Sequence, residues 1–199
     1  YVEAFTVKEA GVAVQALAGT LTLDGLSVEN ASVGIATVSG ASSTVGEFNG
    51  HGMPLAIDAG DADDFSLASG TVHAERFIVG QGTTHFHVSG VDFFSTSADE
   101  MRPAVDVRCE GQCTLQHTVI DSPTVGVSWS GSGTSLMGNV SVYAVEQAVE
   151  ASGSGHADWT NLTVNASTTG LSVQTPTSSL TDINVQLTAN QAIGIDLLG

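Results

Sequence analysis

The 199-residue sequence predicts an all-β fold, a single-domain parallel β-solenoid of about nine coils with a repeat of about 22 residues. Three observations carry this expectation. Short apolar-x-apolar runs recur at near-constant spacing, a second apolar pattern recurs between them, and no segment has the length and period of a helix.

The first runs, often opened by Gly, are "GVAV" (11–14), "GIATV" (34–38), "PLAI" (54–57), "RFIV" (76–79), "AVDV" (104–107), "GVSW" (126–129), "AVEA" (148–151), "GLSV" (170–173) and "GIDL" (194–197). With Val12, Ile35, Leu55, Phe77, Val105, Val127, Val149, Leu171 and Ile195 as the inward residues, the steps are 23, 20, 22, 28, 22, 22, 22 and 24. The second pattern, apolar-x-x-apolar-x-apolar, is seen in "LDGLSV" (23–28), "VSGVDF" (88–93), "MGNVSV" (137–142), "WTNLTV" (159–164) and "LTDINV" (180–185). Its alternation puts aliphatics on one face and Ser, Thr, Asp and Gln on the other. Gly, Asn and Asp fall between the paired apolar positions, where a chain turning a corner needs positive φ or a side-chain bond to its own backbone.

Each repeat then holds two or three strands, and stacking them at roughly 4.8 Å per coil gives a solenoid roughly 40 Å long. A leucine-rich repeat has a similar period but needs a helical return and a fixed Asn, both missing here. An immunoglobulin-like sandwich also has many short strands, but does not require constant spacing.

The stretches "GVSWSGSG", "GLSVQTPT" and "MGNVSVYAVEQAVEASGSG" resemble the coil repeats of right-handed parallel β-helices of the pectate-lyase-like superfamily. The resemblance is one of architecture and covers nearly the whole chain. It implies a right-handed β-helix, with ligands along the outward face of one strand stack. Members include polysaccharide lyases and hydrolases, epimerases, tailspikes, adhesins and surface-layer modules, so the fold alone does not fix the function.

The charge narrows the choice of partner. Lys plus Arg number 4 against 21 Asp plus Glu, a formal net charge of −17. Such a chain has little with which to displace phosphate counterions, which excludes nucleic acid and disfavours anionic membranes. No run of about 20 apolar residues is present, so no membrane insertion is expected. The composition suits a secreted or cell-surface protein, and the ends, "YVEAFTVKEA" and "AIGIDLLG", read as cut from something longer. An uncapped final coil also suggests end-to-end self-association.

Three groups of residues are candidates for chemistry. Asp106, Arg108 and Glu150 fall on the outward face of the Gly-led runs, with Ala56, Asp58, Ser128, Ser130, Ser152, Ser172, Gln174 and Asp196. The resemblance implies that a lyase would use such acids to hold Ca²⁺ against a uronate, with Arg as base. A hydrolase would instead need two carboxylates about 5 to 9 Å apart. The run "DAGDADD" offers Asp58, Asp61, Asp63 and Asp64 as a possible Ca²⁺ loop, although its spacing is not that of an EF-hand. The run "THFHV" puts His85 and His87 on one strand face, flanking a core Phe86, with His73 or His117 expected on a neighbouring coil.

The long step of 28 places an enlarged loop at "STSADEMRP" (95–103). Function in a rigid solenoid concentrates in such loops, so Asp99, Glu100 and Arg102, with Asp106 and Arg108, are the expected ligand-binding residues. Sequons occur at Asn30, Asn139, Asn161 and Asn165, but a corner Asn followed by an inward aliphatic and an outward Ser or Thr creates them automatically.

Both cysteines lie in "VDVRCEGQC" (105–113). Their spacing fits neither a C-x-x-C redox motif nor a zinc site. In the solenoid register, Cys109 closes one strand and Cys113 opens the next, which predicts a disulfide across a corner with Gly111 at its tip. The function expected from all this is a non-catalytic extracellular module for surface display, adhesion or carbohydrate binding. The alternative is a polysaccharide lyase or glycoside hydrolase.

Overall fold

The computed structural model describes residues 3–96, 102–189 and 192–197, which form an all-β parallel solenoid of about eight turns with no helix. The architecture is that of a parallel β-helix, consistent with the right-handed type. Nine strands stacked one upon another make eight steps, which reconciles the nine apolar runs with eight turns.

Each turn contributes to three stacks. In the first, a single inward column runs through Val14, Ile35, Ile57, Ile78, Val105, Val127, Val149, Leu171 and Ile195. In the second, Leu23, Val45 and Leu67 are continued by Val88, Leu115, Met137, Trp159 and Leu180. In the third, Val7 and Val28 lead by way of Gly50 and Val72 to Phe93, Ile120, Val142, Val164 and Val185. The strands Ala41–Gly60, Asp64–Ser89 and Pro103–Ser122 are long because each turns corners from one stack into the next.

The corner between the second and third stacks has a repeated backbone solution. Gly90, His117, Asn139, Asn161 and Asp182 all adopt φ between 49° and 63° there. Asn tolerates this conformation better than most residues because its short polar side chain bonds locally. Here the bonds run between turns: Asn161 Nδ2 donates to Asn139 Oδ1 at 2.5 Å, and Asn139 Nδ2 lies 3.2 Å from His117 Nε2. The sequons at Asn139 and Asn161 therefore belong to the corner ladder.

The first stack departs from the register expected for it. Val12 and Leu55 lie in an outward column with Val33 and Arg76, and the inward residues are Val14 and Ile57. Ala56, expected to face outward, is fully buried, as is Phe77. The reason is a bend at the start of each strand, where two consecutive residues enter the interior and the first is usually small. Gly126 is one of these: a Cβ there would lie 2.4 Å from Val142 Cγ1 and 2.5 Å from the Ala148 carbonyl oxygen. Gly34, Gly126 and Gly170, which open three of the runs, mark a tight inward bend.

Aromatic side chains pack the wider middle of the core. Phe65 stacks on Phe86 with centroids 5.6 Å apart, Phe77 on Phe93 at 5.1 Å, and Phe86 meets Trp129 edge-on at 6.5 Å. The buried indoles keep partners for their N–H groups: Trp159 donates to Ser135 Oγ at 3.3 Å and Trp129 to Met137 Sδ at 3.2 Å. Beside this cluster Cys109 and Cys113 form the expected disulfide, with Cα atoms 5.9 Å apart and both side chains buried. It closes the corner made by Glu110, Gly111 and Gln112.

Two predictions concern this core. A loop of so few residues loses little entropy on closure, so reducing the disulfide should cost about 1 to 2 kcal/mol. Thermal melts with and without reductant check this, and identical melting temperatures would contradict it. Gly126→Ala should destabilise by about 1 to 3 kcal/mol through overpacking. Gly11→Ala, where an added Cβ meets nothing within 4 Å, should be neutral in the same denaturant titration.

Candidate functional site

On the first stack, the register places Asp106, Ser128, Glu150, Ser172 and Asp196 in one outward column. Asp106 and Glu150 are thus two strands apart with Ser128 between them, about 10 Å at the backbone. Each charged neighbour is otherwise engaged. Arg76 Nη2 lies 3.4 Å from Asp106 Oδ2, and Arg108 Nε donates to Glu110 Oε1 at 2.7 Å. Asp106, Arg108 and Glu150 therefore do not converge as a lyase set would require. The cation beside Asp106 is Arg76, whose Nε also points to the Pro103 carbonyl at 3.5 Å.

Glu110, at the disulfide corner, also accepts from Ser132 Oγ at 2.7 Å. The Ser132 hydroxyl, and after it the Arg108 guanidinium, hold its carboxyl below the usual carboxylate range. A depressed folded pKa favours the folded state above the ordinary value of about 4.3. That contribution is lost as pH falls through the folded value. An NMR titration of Glu110 should therefore show a midpoint below about 4.3. Ser132→Ala and Arg108→Gln should each raise it, and an unchanged midpoint in both variants would contradict these causes.

Asp99 and Glu100 lie outside the described residues. Arg102 is exposed, just before Pro103 begins the next strand of the first stack. The strand Val91–Ser95 precedes this segment on the third stack. There Phe94 stacks on His73 with centroids 5.1 Å apart, and His73 meets His51 at 6.1 Å. This outward ring ladder was missed from sequence. Its signal was the adjacent pair in "VDFFS", since strand alternation must turn one of two neighbouring Phe residues outward.

The four aspartates of the acidic run do not gather around a common point. Asp58 Oδ1 accepts from the Gly60 amide at 3.1 Å, a local turn bond. Asp61 lies near Gly82 on the adjacent corner, and Asp63 and Asp64 are exposed. Among the described residues no three carboxylate, imidazole or thiol groups are placed to hold a metal ion.

Asp64 instead joins the histidine pair. His85 Nδ1 lies 3.1 Å from Asp64 Oδ1. Phe86 is buried between the outward His85 and His87, as alternation predicts. The neighbours of the pair are not His73 or His117, which lie on the third stack and at its corner. They are Asp64 and Ser66 on one side, and Gln112 and Thr114 on the other. Together these six side chains surround a shallow hollow of ≈ 220 Å³ on the outer face of the second stack.

His85 Nδ1 faces the Asp64 carboxylate at 3.1 Å, and both side chains are largely exposed to solvent. Among the described residues the side chains of Ser66, His87, Gln112 and Thr114 carry no hydrogen bond. The hollow thus presents uncommitted donors and acceptors on a rigid floor of paired strands.

The fold and these surfaces define the chain as a parallel β-solenoid with a disulfide-closed corner and polar outward faces. It matches no protein-family model, no curated protein and no solved structure. Among the described residues no helix is long and apolar enough to cross a membrane.

Proposed function

We propose that the chain is a non-catalytic, secreted or cell-surface β-solenoid module acting in display, adhesion or carbohydrate binding. The observation that carries this reading is the regular column of short hydrogen-bonding side chains on its outward faces. On the third stack Thr6, Ser27, Asn49, Thr71 and Asp92 follow one another at successive turns, and Ser141, Thr163 and Asn184 continue the column beyond Val119. Such a surface offers evenly spaced polar contacts to a polyhydroxylated partner. The disulfide and the acidic composition support an oxidising, extracellular setting. The separation of Asp106 from Glu150, and the pairing of Arg108 with Glu110, favour binding over catalysis.

The test is affinity electrophoresis against a panel of neutral and anionic polysaccharides, with parallel assays for new reducing ends and for unsaturated products. Retardation by at least one polysaccharide without product is the expected result. Accumulating product would overturn the non-catalytic reading, and free migration in every gel would overturn carbohydrate binding.

A further inference from the structure

Resting on the carbohydrate-binding reading, we infer that the hollow formed by Asp64, Ser66, His85, His87, Gln112 and Thr114 is the sugar site, and that its ligand is an uncharged polysaccharide. Five features of the hollow lead there. Its side chains come from three successive turns, so it extends about 10 Å along the solenoid axis. At ≈ 220 Å³ it is below the roughly 300 to 1,000 Å³ of a drug-sized cavity, a volume suited to one or two sugar rings.

Its chemistry is that of polyol recognition. The Asp64 carboxylate accepts hydrogen bonds, the His85 and His87 imidazoles and the Gln112 amide both donate and accept, and Ser66 and Thr114 supply hydroxyls. Neighbouring ring hydroxyls, each a donor and an acceptor, complement such a mixture, while the imidazole faces of the histidines offer apolar area to ring C–H groups.

Charge selects among sugars. Asp64 lies at the rim, the acidic run with Asp61 and Asp63 is adjacent, and the whole chain carries −17. A uronate or sulfated chain would meet repulsion of the same sign at every approach. The site is also open along the sheet, so a polymer can pass through it, and its repeated units give an avidity that one shallow hollow does not provide.

The test uses the intact 199-residue chain in gels containing a neutral glucan, mannan or galactan, with polygalacturonate and a lysine-rich peptide as contrasting ligands. His87→Ala and Gln112→Ala should each weaken retardation by a neutral polysaccharide about three- to tenfold, the effect of losing one or two hydrogen bonds. Gln15→Ala removes a similar exposed amide on the first stack and should change nothing. All of these side chains are exposed, so melting temperatures should match the parent and exclude misfolding as the cause.

Neutral-polysaccharide binding that survives both hollow substitutions would overturn this site while leaving carbohydrate binding intact. Binding only to polygalacturonate, or only to the lysine-rich peptide in a salt-sensitive manner, would overturn the ligand class. Binding to no polysaccharide would overturn both this inference and the reading on which it rests.

Discussion

Everything in this molecule depends on the parallel hydrogen-bonded ladder between successive turns. Because each turn pairs in register with the next, every residue lies on its equivalent about 22 positions away, and a side chain is judged against its column rather than its sequence neighbours. Inward columns must therefore be apolar along their length. The corner column must repeatedly tolerate positive φ, which explains why Gly90, Asn139, Asn161 and Asp182 recur there. The same constraint turns a polar corner into a ladder, since amides stacked at strand spacing are within hydrogen-bonding reach of one another.

Column identity also explains where the molecule has freedom. The outward faces are held by the ladder but not filled by it, so their side chains vary from turn to turn: His51, His73 and Phe94 in one column, then Asp121 and Tyr143. A rigid sheet presenting a variable surface is well suited to recognition, because few backbone atoms need to be ordered when a ligand binds. The strands before and after the interval from Ser95 to Pro103 keep their pairing in the stacks.

Much of the fold was legible because its rules are local and repeated. Period-2 alternation identified the strands, and the Gly, Asn and Asp positions identified the corners. The C-x₃-C spacing across one corner identified the disulfide, now seen between Cys109 and Cys113. The site was less legible. "DAGDADD" and "THFHV" were separate motifs on the sequence, one read for Ca²⁺ and the other for a surface pair, and only pairing across turns brings Asp64 to His85. Likewise Arg108, read as the partner of Asp106 and Glu150, turns to Glu110, and Arg76 from the preceding turn takes its place beside Asp106.

The sequence by itself determined the all-β class, the repeat length, the corners and the covalent clasp, because each follows from residue chemistry over a few positions. Tertiary structure decided which residue of each first-stack strand faces inward and which side chains meet between turns. The physical reason is that turn lengths differ by a residue or more: Ile57 to Ile78 spans 21 positions, Ile78 to Val105 spans 27, and Val105 to Val127 spans 22. Irregular pairing at His51 to Met53 and at Asp58 to Gly60 absorbs such differences. In a structure of period 2, one residue gained or lost exchanges the two faces unless a bulge corrects it, and only the assembled ladder fixes where that correction falls.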